Sequence, residues 1–275
     1  MAVETAIVEA ATWDTQAGST PKALGLLTGG EVWAESELDI RRGAANQSSA
    51  FAGPVRFGGS LSVEATSDTK AVIANAIRSV GVLAALKFKA GTASVNFLHE
   101  NAYITQLRAR GAVNSPLECT LDFLTTTETE TAAAITPVAL GSALIPFGGA
   151  SVTIGGAAFK CQGFEIGLTN NLEHYFTIDA KGSNVKRLPT GVSLGAEEVS
   201  FTAEFLDKHT WDVDEDAPAF NIAAIVIYTD GVNSITFTFA NLARRGRRGL
   251  PIETASGLIV WRYEFLGQAG SLAIT

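Results

Sequence analysis

The chain has 275 residues, 47% of them hydrophobic and 17% charged, and its 20 Lys and Arg against 28 Asp and Glu give a formal net charge of −8. This balance excludes an ordinary nucleic-acid binder, because phosphate contacts need basic surface, and the length suffices for two small domains or one large β architecture. A mean hydropathy of +0.21 points to apolar surface buried between copies.

Near the start, Glu4 stands where a secretory signal carries Lys or Arg, and no uninterrupted apolar stretch follows, so export by that route is not expected. No run of 18 apolar residues suggests a membrane helix. Cys119 and Cys161 are the only cysteines; a disulfide scaffold is not expected, and Cys119 reads as a small core residue. Residues 1–30 hold Gly18, Pro21, Gly25, Gly29 and Gly30 and read as an N-terminal arm, loosely ordered or a short strand followed by turns, either docked on a neighbour or a disordered terminus.

Glu31–Ile40 and Val55–Ala65 then form a hairpin around the polar loop Arg41–Gly53. Ser67 or Asp68 caps a helix in which Val72, Ile73, Ala76, Ile77 and Val80 recur at helical spacing, and Gly81 ends it. Val82–Phe97 and Tyr103–Leu107 read as short strands with Gly91 in a turn, and Leu117–Leu124 closes the unit. The run TTTETETAAA from Thr125, followed by Pro137, Gly141 and Pro146, suggests a linker. The expected organisation is a first β unit over 31–128, a linker over 129–150 and a second β unit over 151–275.

The second unit opens with Val152, Ile154, Phe164, Ile166 and Leu168. Leu172, His174, Phe176 and Ile178 alternate with polar residues, as do Val199, Phe201, Ala203 and Phe205, and together they read as a hairpin with a long polar tip over Asp179–Gly191. The acidic stretch His209–Asn221 contains Pro218 and reads as a short or broken helix. Ile225–Tyr228, Ile235–Phe239 and Leu258–Leu266 supply the remaining strands, and Asp230-Gly231 is a turn signal. Leu61–Ala65 overlays Val199–Ala203 at an offset of 138, while Leu117, Cys119, Leu121 and Phe123 overlay Ile259, Trp261, Tyr263 and Phe265 at 142. The chain therefore reads as one unit built twice.

Chemistry-bearing patterns are sparse. His99, His174 and His209 lie in separate segments without ligand spacing, so no metal site is expected. Neither a G-x-S-x-G elbow nor a Walker loop occurs, and neither a catalytic constellation nor a cofactor is expected. Asp212, Asp214, Glu215 and Asp216 resemble half a calcium loop without its Gly and terminal Glu, which favours a solvated loop. The basic run Arg244, Arg245, Arg247 and Arg248 would in isolation suggest nucleic acid; in an acidic chain it suggests an intersubunit ion-pairing loop. Arg108 and Arg110, just before Gly111, hold the corresponding place in the first unit.

The segment Cys161-Gln-x-Phe-Glu-Ile-x-Leu-x-Asn-Asn-Leu-Glu173 is followed by a polar loop, Leu188-Pro-Thr-Gly191 and the alternating strand to Phe205. The first half has Gly53-Pro-Val-Arg-Phe-Gly-Gly-Ser-Leu-Ser-Val-Glu64 and then a helix. Over most of residues 31–266 this order resembles the tail tube proteins of long-tailed bacteriophages. The resemblance implies a mainly β fold of two tandem tail-tube-like β-sandwich or barrel units, with a flanking α-helix in at least the first. It also implies a virion tail protein made in the host bacterial cytoplasm, whose copies join edge to edge into rings. The rings stack into a tube that conducts DNA, with other tail proteins as partners, only transient non-specific passage of DNA, and no membrane.

By matching position, the resemblance assigns ring-stacking contacts to the two hairpin loops, nominating Arg41, Arg42, Asn46 and Gln47 in one and Lys181, Asn184, Lys186 and Arg187 in the other. A duplicated chain suggests three copies per pseudo-hexameric ring, with a hexamer of chains as the alternative. A wall past which DNA slides should repel phosphates. This nominates Glu64, Glu204, Glu118, Asp122 and Glu264 as lumen-facing; the other reading leaves them on a solvated outer surface. Two rivals stay open: a distal-tail or hub component of the same fold, and, in a different class, a membrane-spanning β-barrel. The missing signal and the helix at Asp68–Val80 count against the barrel.

Overall fold

A computed structural model describes residues 2–42, 48–79, 81–92, 95–131, 133–146, 149–177, 188–206, 221–253 and 259–275; for 2–6, 37–42, 48–52, 246–251 and 253 only the backbone is described. In chain order the elements are β1 (Ala2–Ile7), β2 (Ala10–Thr15), β3 (Leu26–Arg42), β4 (Ser48–Glu64), α1 (Ser67–Ile73) with a 3-10 turn at Ala74–Ala76, β5 (Leu86–Gly91), β6 (Asn96–Ala112) and β7 (Glu118–Thr131). There follow β8 (Ser151–Ile154), β9 (Ala157–Phe159), β10 (Cys161–Thr169), β11 (Leu172–Tyr175), β12 (Gly191–Leu194), β13 (Glu198–Phe205), β14 (Ile222–Thr229), β15 (Ser234–Glu253), β16 (Ile259–Gly267) and β17 (Leu272–Ile274). The fold is mainly β, with one short helix among the described residues.

The alternation seen in the sequence sets the layers. Leu61 and Val63 on β4, Cys119 and Leu121 on β7, Leu107 and Ala109 on β6, Ile166 and Leu168 on β10, Phe201 and Ala203 on β13, and Tyr263 and Phe265 on β16 are all buried. They belong to one hydrophobic cluster, while the residues between them turn polar side chains to the opposite face. The strands run in the order β1-β3-β4-β7-β6-β10-β13-β16-β15-β14-β8-β9, every ladder antiparallel, with β5 and β2 branching from β6 and β17 from β15. A single ladder, Gly163–Thr169 of β10 against Ala112–Gln106 of β6, joins the first half of this sheet to the second.

The strand order β3-β4-β7-β6-β5-β2 of the first half recurs as β10-β13-β16-β15-β14-β8 in the second. Irregularities recur with it. β3 slips against β4 between Leu27 and Gly29, and β10 slips against β13 between Cys161 and Gly163. β5 slips against β6 between Leu86 and Phe88, opposite Ala102 and His99; β14 slips against β15 between Ile222 and Ala224, opposite Leu242 and Phe239. Traced through the ladders from these slips, Val63 answers to Phe205 and Cys119 to Trp261, both 142 apart. This correspondence differs by four residues from the overlay of Leu61–Ala65 on Val199–Ala203; both offsets are even, so side chains face the same way under either.

Several expectations change. Residues 2–30 hold β1, β2 and the start of β3, more strand than the loose arm or single short strand expected, and Trp13 of β2 is buried with its indole N–H donating to the Ala23 carbonyl at 2.8 Å. The helix begins with a capping box at Thr66, whose hydroxyl accepts from Asp68 N–H while Thr69 Oγ1 accepts from Thr66 N–H. It stops at Ile73, short of Val80; Asn75 turns its amide back on the Ala71 carbonyl, and Ile77 is already extended.

Thr125–Thr131, read as the start of a linker, continues β7; Thr125 is buried and its hydroxyl donates to the Glu100 carbonyl. The connection beyond is packed rather than free. Ile135 and Ile145 are buried, Gly141 N–H donates to Asp68 at 2.6 Å, and Ile145 N–H donates to the Ala65 carbonyl.

The partner of β13 is β10 rather than the run that begins at Leu172. Asn171 takes a left-handed backbone, φ 46°, which ends the sheet strand, and β11 pairs instead with β12 as a separate two-stranded arm. The expected helix over His209–Asn221, with its acidic run, lies outside the described residues except for Asn221.

Candidate functional site

The polar face of the joined sheet carries charge in ordered rows. Directly opposed residues form a row across seven strands: Glu64 (β4), Glu118 (β7), Arg110 (β6), Glu165 (β10), Thr202 (β13), Glu264 (β16) and Arg245 (β15). Ser60, Asp122, Gln106, Thr169 and Glu198 lie on a second row, and Gly163, Glu204 and Arg262 on a third. All five candidate carboxylates, Glu64, Glu118, Asp122, Glu204 and Glu264, therefore project from one face.

The same face carries cations, so it is acidic but not uniformly so. Arg108 Nε lies 3.3 Å from Glu165 Oε1 across the β6–β10 joint, and Arg262 Nε lies 3.7 Å from Glu264 Oε1. At the joint, a polar depression lies beside Gly163, walled by Arg110, Glu165, Glu204 and Arg262. Arg108 and Arg110 were expected in a loop that pairs with another subunit. They stand instead on strand β6, and Arg108 pairs within its own chain. Arg245 shares the polar face, opposite Glu264, whereas Arg244 stands opposite Phe265 on the other face of β15. Arg247 and Arg248 also belong to β15, with only their backbone described.

Of the loop candidates, Arg41 and Arg42 end β3 with only backbone described, and Asn46, Gln47, Lys181, Asn184, Lys186 and Arg187 lie outside the described residues. The root of the second arm is described, and it is bolted to the first half. Arg78, just past the 3-10 turn, donates from Nε to Asn170 Oδ1 at 2.9 Å, from Nη2 to the Asn170 carbonyl at 2.5 Å, and from Nη1 to the Gly195 carbonyl at 2.8 Å. Asn170 is fully buried and donates in turn to the Ala76 and Ile104 carbonyls at 2.8 and 3.0 Å. Glu197 faces Arg78 at 3.8 Å and accepts from Gly270 N–H at 2.7 Å. On the arm, His174 Nε2 meets the Thr125 carbonyl at 2.8 Å, and burial holds its pKa below the usual imidazole value.

The sequence reading missed Glu165, Arg262, Arg78, Asn170 and Glu197. Glu165 was within reach, since it lies between the apolar positions Phe164 and Ile166 and so belongs to the wet face. Arg78 and Asn170 meet only through folding, 92 positions apart, and no local pattern announces such a pair. Among the described residues no cluster of three or more His, Cys, Asp or Glu has the arrangement of a metal site. His99 is fully buried beside Phe123 and Glu128, and its pKa is lowered to about 4 by burial.

A wide antiparallel sheet with one apolar face packed inside and one charged face displayed defines a structural β-sandwich protein, its chemistry laid out as a surface. Family comparison agrees in kind: the model for phage tail tube protein matches residues 3–260, and the chain belongs to that family. It has a structural role in the tail tube of the virion, and membership implies assembly with other tail proteins and into oligomeric rings. No curated protein matches the chain. No helix among the described residues is long and apolar enough to cross a membrane.

Proposed function

We propose that this chain forms the wall of the phage tail tube, with the charged face of the sheet turned to the lumen and DNA passing along it without being held. The observation that carries this reading is the β6–β10 ladder, which sets two similar sheet blocks side by side with their polar faces continuous. Repetition of that lateral step closes a ring and leaves no sheet edge bare. The matching strand orders and slips support a duplicated chain with units over 31–128 and 151–275, so that three copies make a pseudo-hexameric ring.

Carboxylates outnumber arginines on the face, and its arginines lie beside carboxylates in the same chain. Such a wall repels phosphate more than it binds it. The two hairpin arms, ending in the loops around Asn46 and Lys186, reach the next ring. The role is structural and non-enzymatic, and synthesis takes place in the host cytoplasm before assembly. Reconstruction of assembled tubes tests the reading: three chains per ring with Glu204 and Glu264 on the inner surface is the expected result. Six chains per ring defeats the stoichiometry, and an outer position for both carboxylates defeats the lumen assignment. In phage carrying Glu204→Lys, DNA delivery falls; unchanged delivery removes that residue from the wall.

A further inference from the structure

The internal repeat says what the outer edge of β3 is for, and the chain's first strand occupies that edge. Carried through the matching slips, Gly29 answers to Gly163 and Glu31 to Glu165, so β3 from Gly29 to Glu35 answers to β10 from Gly163 to Thr169. On β10 that stretch holds β6, with Glu165 opposite Arg110 and Thr169 opposite Gln106. On β3 the same edge holds β1, antiparallel in the same sense, with Ile7 opposite Glu31 and Ala2 opposite Ser36. β15 is the counterpart of β6. Beyond Leu242 its only ladder among the described residues is the one to β16, which leaves the edge that answers to the docking edge of β6 without a strand.

We propose that the β3 edge from Gly29 to Glu35 is the docking edge for β15 of a second copy of this chain, and that β1 is a guard strand which the incoming copy displaces. The inference rests on the reading that copies join laterally. The two occupants exclude each other, because both use the same row of backbone N–H and C=O groups. Charge favours the incoming strand. β1 sets Val3 opposite Glu35, whereas in the incoming strand the residue that answers to Gln106, opposite Thr169 in the inner joint, is Arg245, which comes opposite Glu35.

The pivot is short. Val8 is buried and donates its N–H to the Gly30 carbonyl of the docking edge, and Glu9 N–H donates to Gly91, so β1 with Val8 can swing away at Val8–Glu9 while β2 keeps its place on β5. Until a neighbour arrives, β1 covers an edge that would otherwise invite random pairing.

A disulfide lock tests the device. Glu4 and Ala34 lie directly opposite each other in the β1–β3 ladder. A Glu4→Cys/Ala34→Cys variant, with Cys119 and Cys161 replaced by Ser, is compared oxidised and reduced by size exclusion with light scattering and by negative-stain microscopy. The oxidised form is expected to stay as single copies and the reduced form to associate like the parent; a chain lacking residues 2–7 is expected to associate at a concentration at least about tenfold lower. Association of the oxidised form at the parent's concentration overturns the proposal, as does a truncated chain that associates no more readily than the parent. If the lock blocks association but the unlocked associates are open fibres without closed rings, the guard strand stands and the tube reading falls. If rings form with the lock closed, the tube reading stands and the guard strand falls.

Discussion

Asn101 and Asn241 occupy the same place in the two halves of the sheet. Each takes a left-handed backbone, φ 50° and 59°, inside a long strand, and each immediately precedes the residue at which that strand slips against its neighbour, Ala102 in one case and Leu242 in the other. A left-handed residue costs an ordinary side chain about 1–2 kcal/mol, less for Asn and nothing for Gly. Asn101→Val and Asn241→Val are each expected to lower stability by about 1–2 kcal/mol in urea unfolding, while Asn→Gly at either site changes it by less than about 0.5 kcal/mol. Equal losses from Val and Gly would mean that the side chain rather than the backbone matters there.

Arg78 fastens the root of the β11–β12 arm to the first half. Its removal leaves the Asn170 carbonyl and amide oxygens and the nearly buried Glu197 carboxylate short of partners. Losing one member of such a buried network costs about 2–4 kcal/mol. Arg78→Ala is expected to lower stability by that amount and to speed amide exchange over Leu172–Tyr175 first. Exchange that rises evenly over the whole sheet would show that Arg78 supports the fold at large.

Acid should weaken the fold through His99. Burial holds its pKa at about 4, against about 6.5 in an unfolded chain. The ring stays neutral in the fold while the unfolded chain takes up a proton, so this part of the stability is complete above pH 6.5 and declines as pH falls toward 4. It amounts to at most about 3 kcal/mol, tempered by Glu128 at 3.5 Å. In His99→Phe the pH dependence between 6.5 and 4 flattens; an unaltered slope assigns the acid sensitivity to other groups.

Neither thiol should react readily in the folded chain. Burial pushes Cys119 up to about 12 and Cys161 up to about 11, and the Cys161 thiol donates to the Gly163 carbonyl at 2.7 Å. At pH 8 little thiolate is present at either. Maleimide labelling is expected to be slow for both when folded and fast for both in denaturant, with Cys161 responding first as pH rises.

The layers were legible because they depend on alternation alone. Val199, Phe201, Ala203 and Phe205 went inward as read, and with them Glu204 went outward; a difference of four residues in register did no harm, since facing depends only on parity. Strand partners were less legible. Leu172, His174, Phe176 and Ile178 keep the alternating pattern in sequence, but the left-handed Asn171 separates Leu172–Tyr175 from the sheet, and alternation carries no information about such a break. Thr125–Thr131 misled through composition, because a threonine- and glutamate-rich run fits a linker and an edge-reaching strand equally. The arginines at 108 and 110 were read as loop residues beside Gly111, where the glycine marks close packing against Phe164 and the Tyr228 hydroxyl in place of a turn.

The β6–β10 ladder also bears on how assembly is paced. In the proposed ring, a chain that folds with one lateral joint inside it brings that joint at an effective concentration no second molecule can match, and only the joint between copies depends on how many are present. Bringing each separate body to order costs about 4–15 kcal/mol of translational and rotational freedom, so in the ring of three duplicated chains proposed above, fusing two blocks into one chain halves the number of bodies to be gathered. Assembly then responds to concentration with a correspondingly lower power.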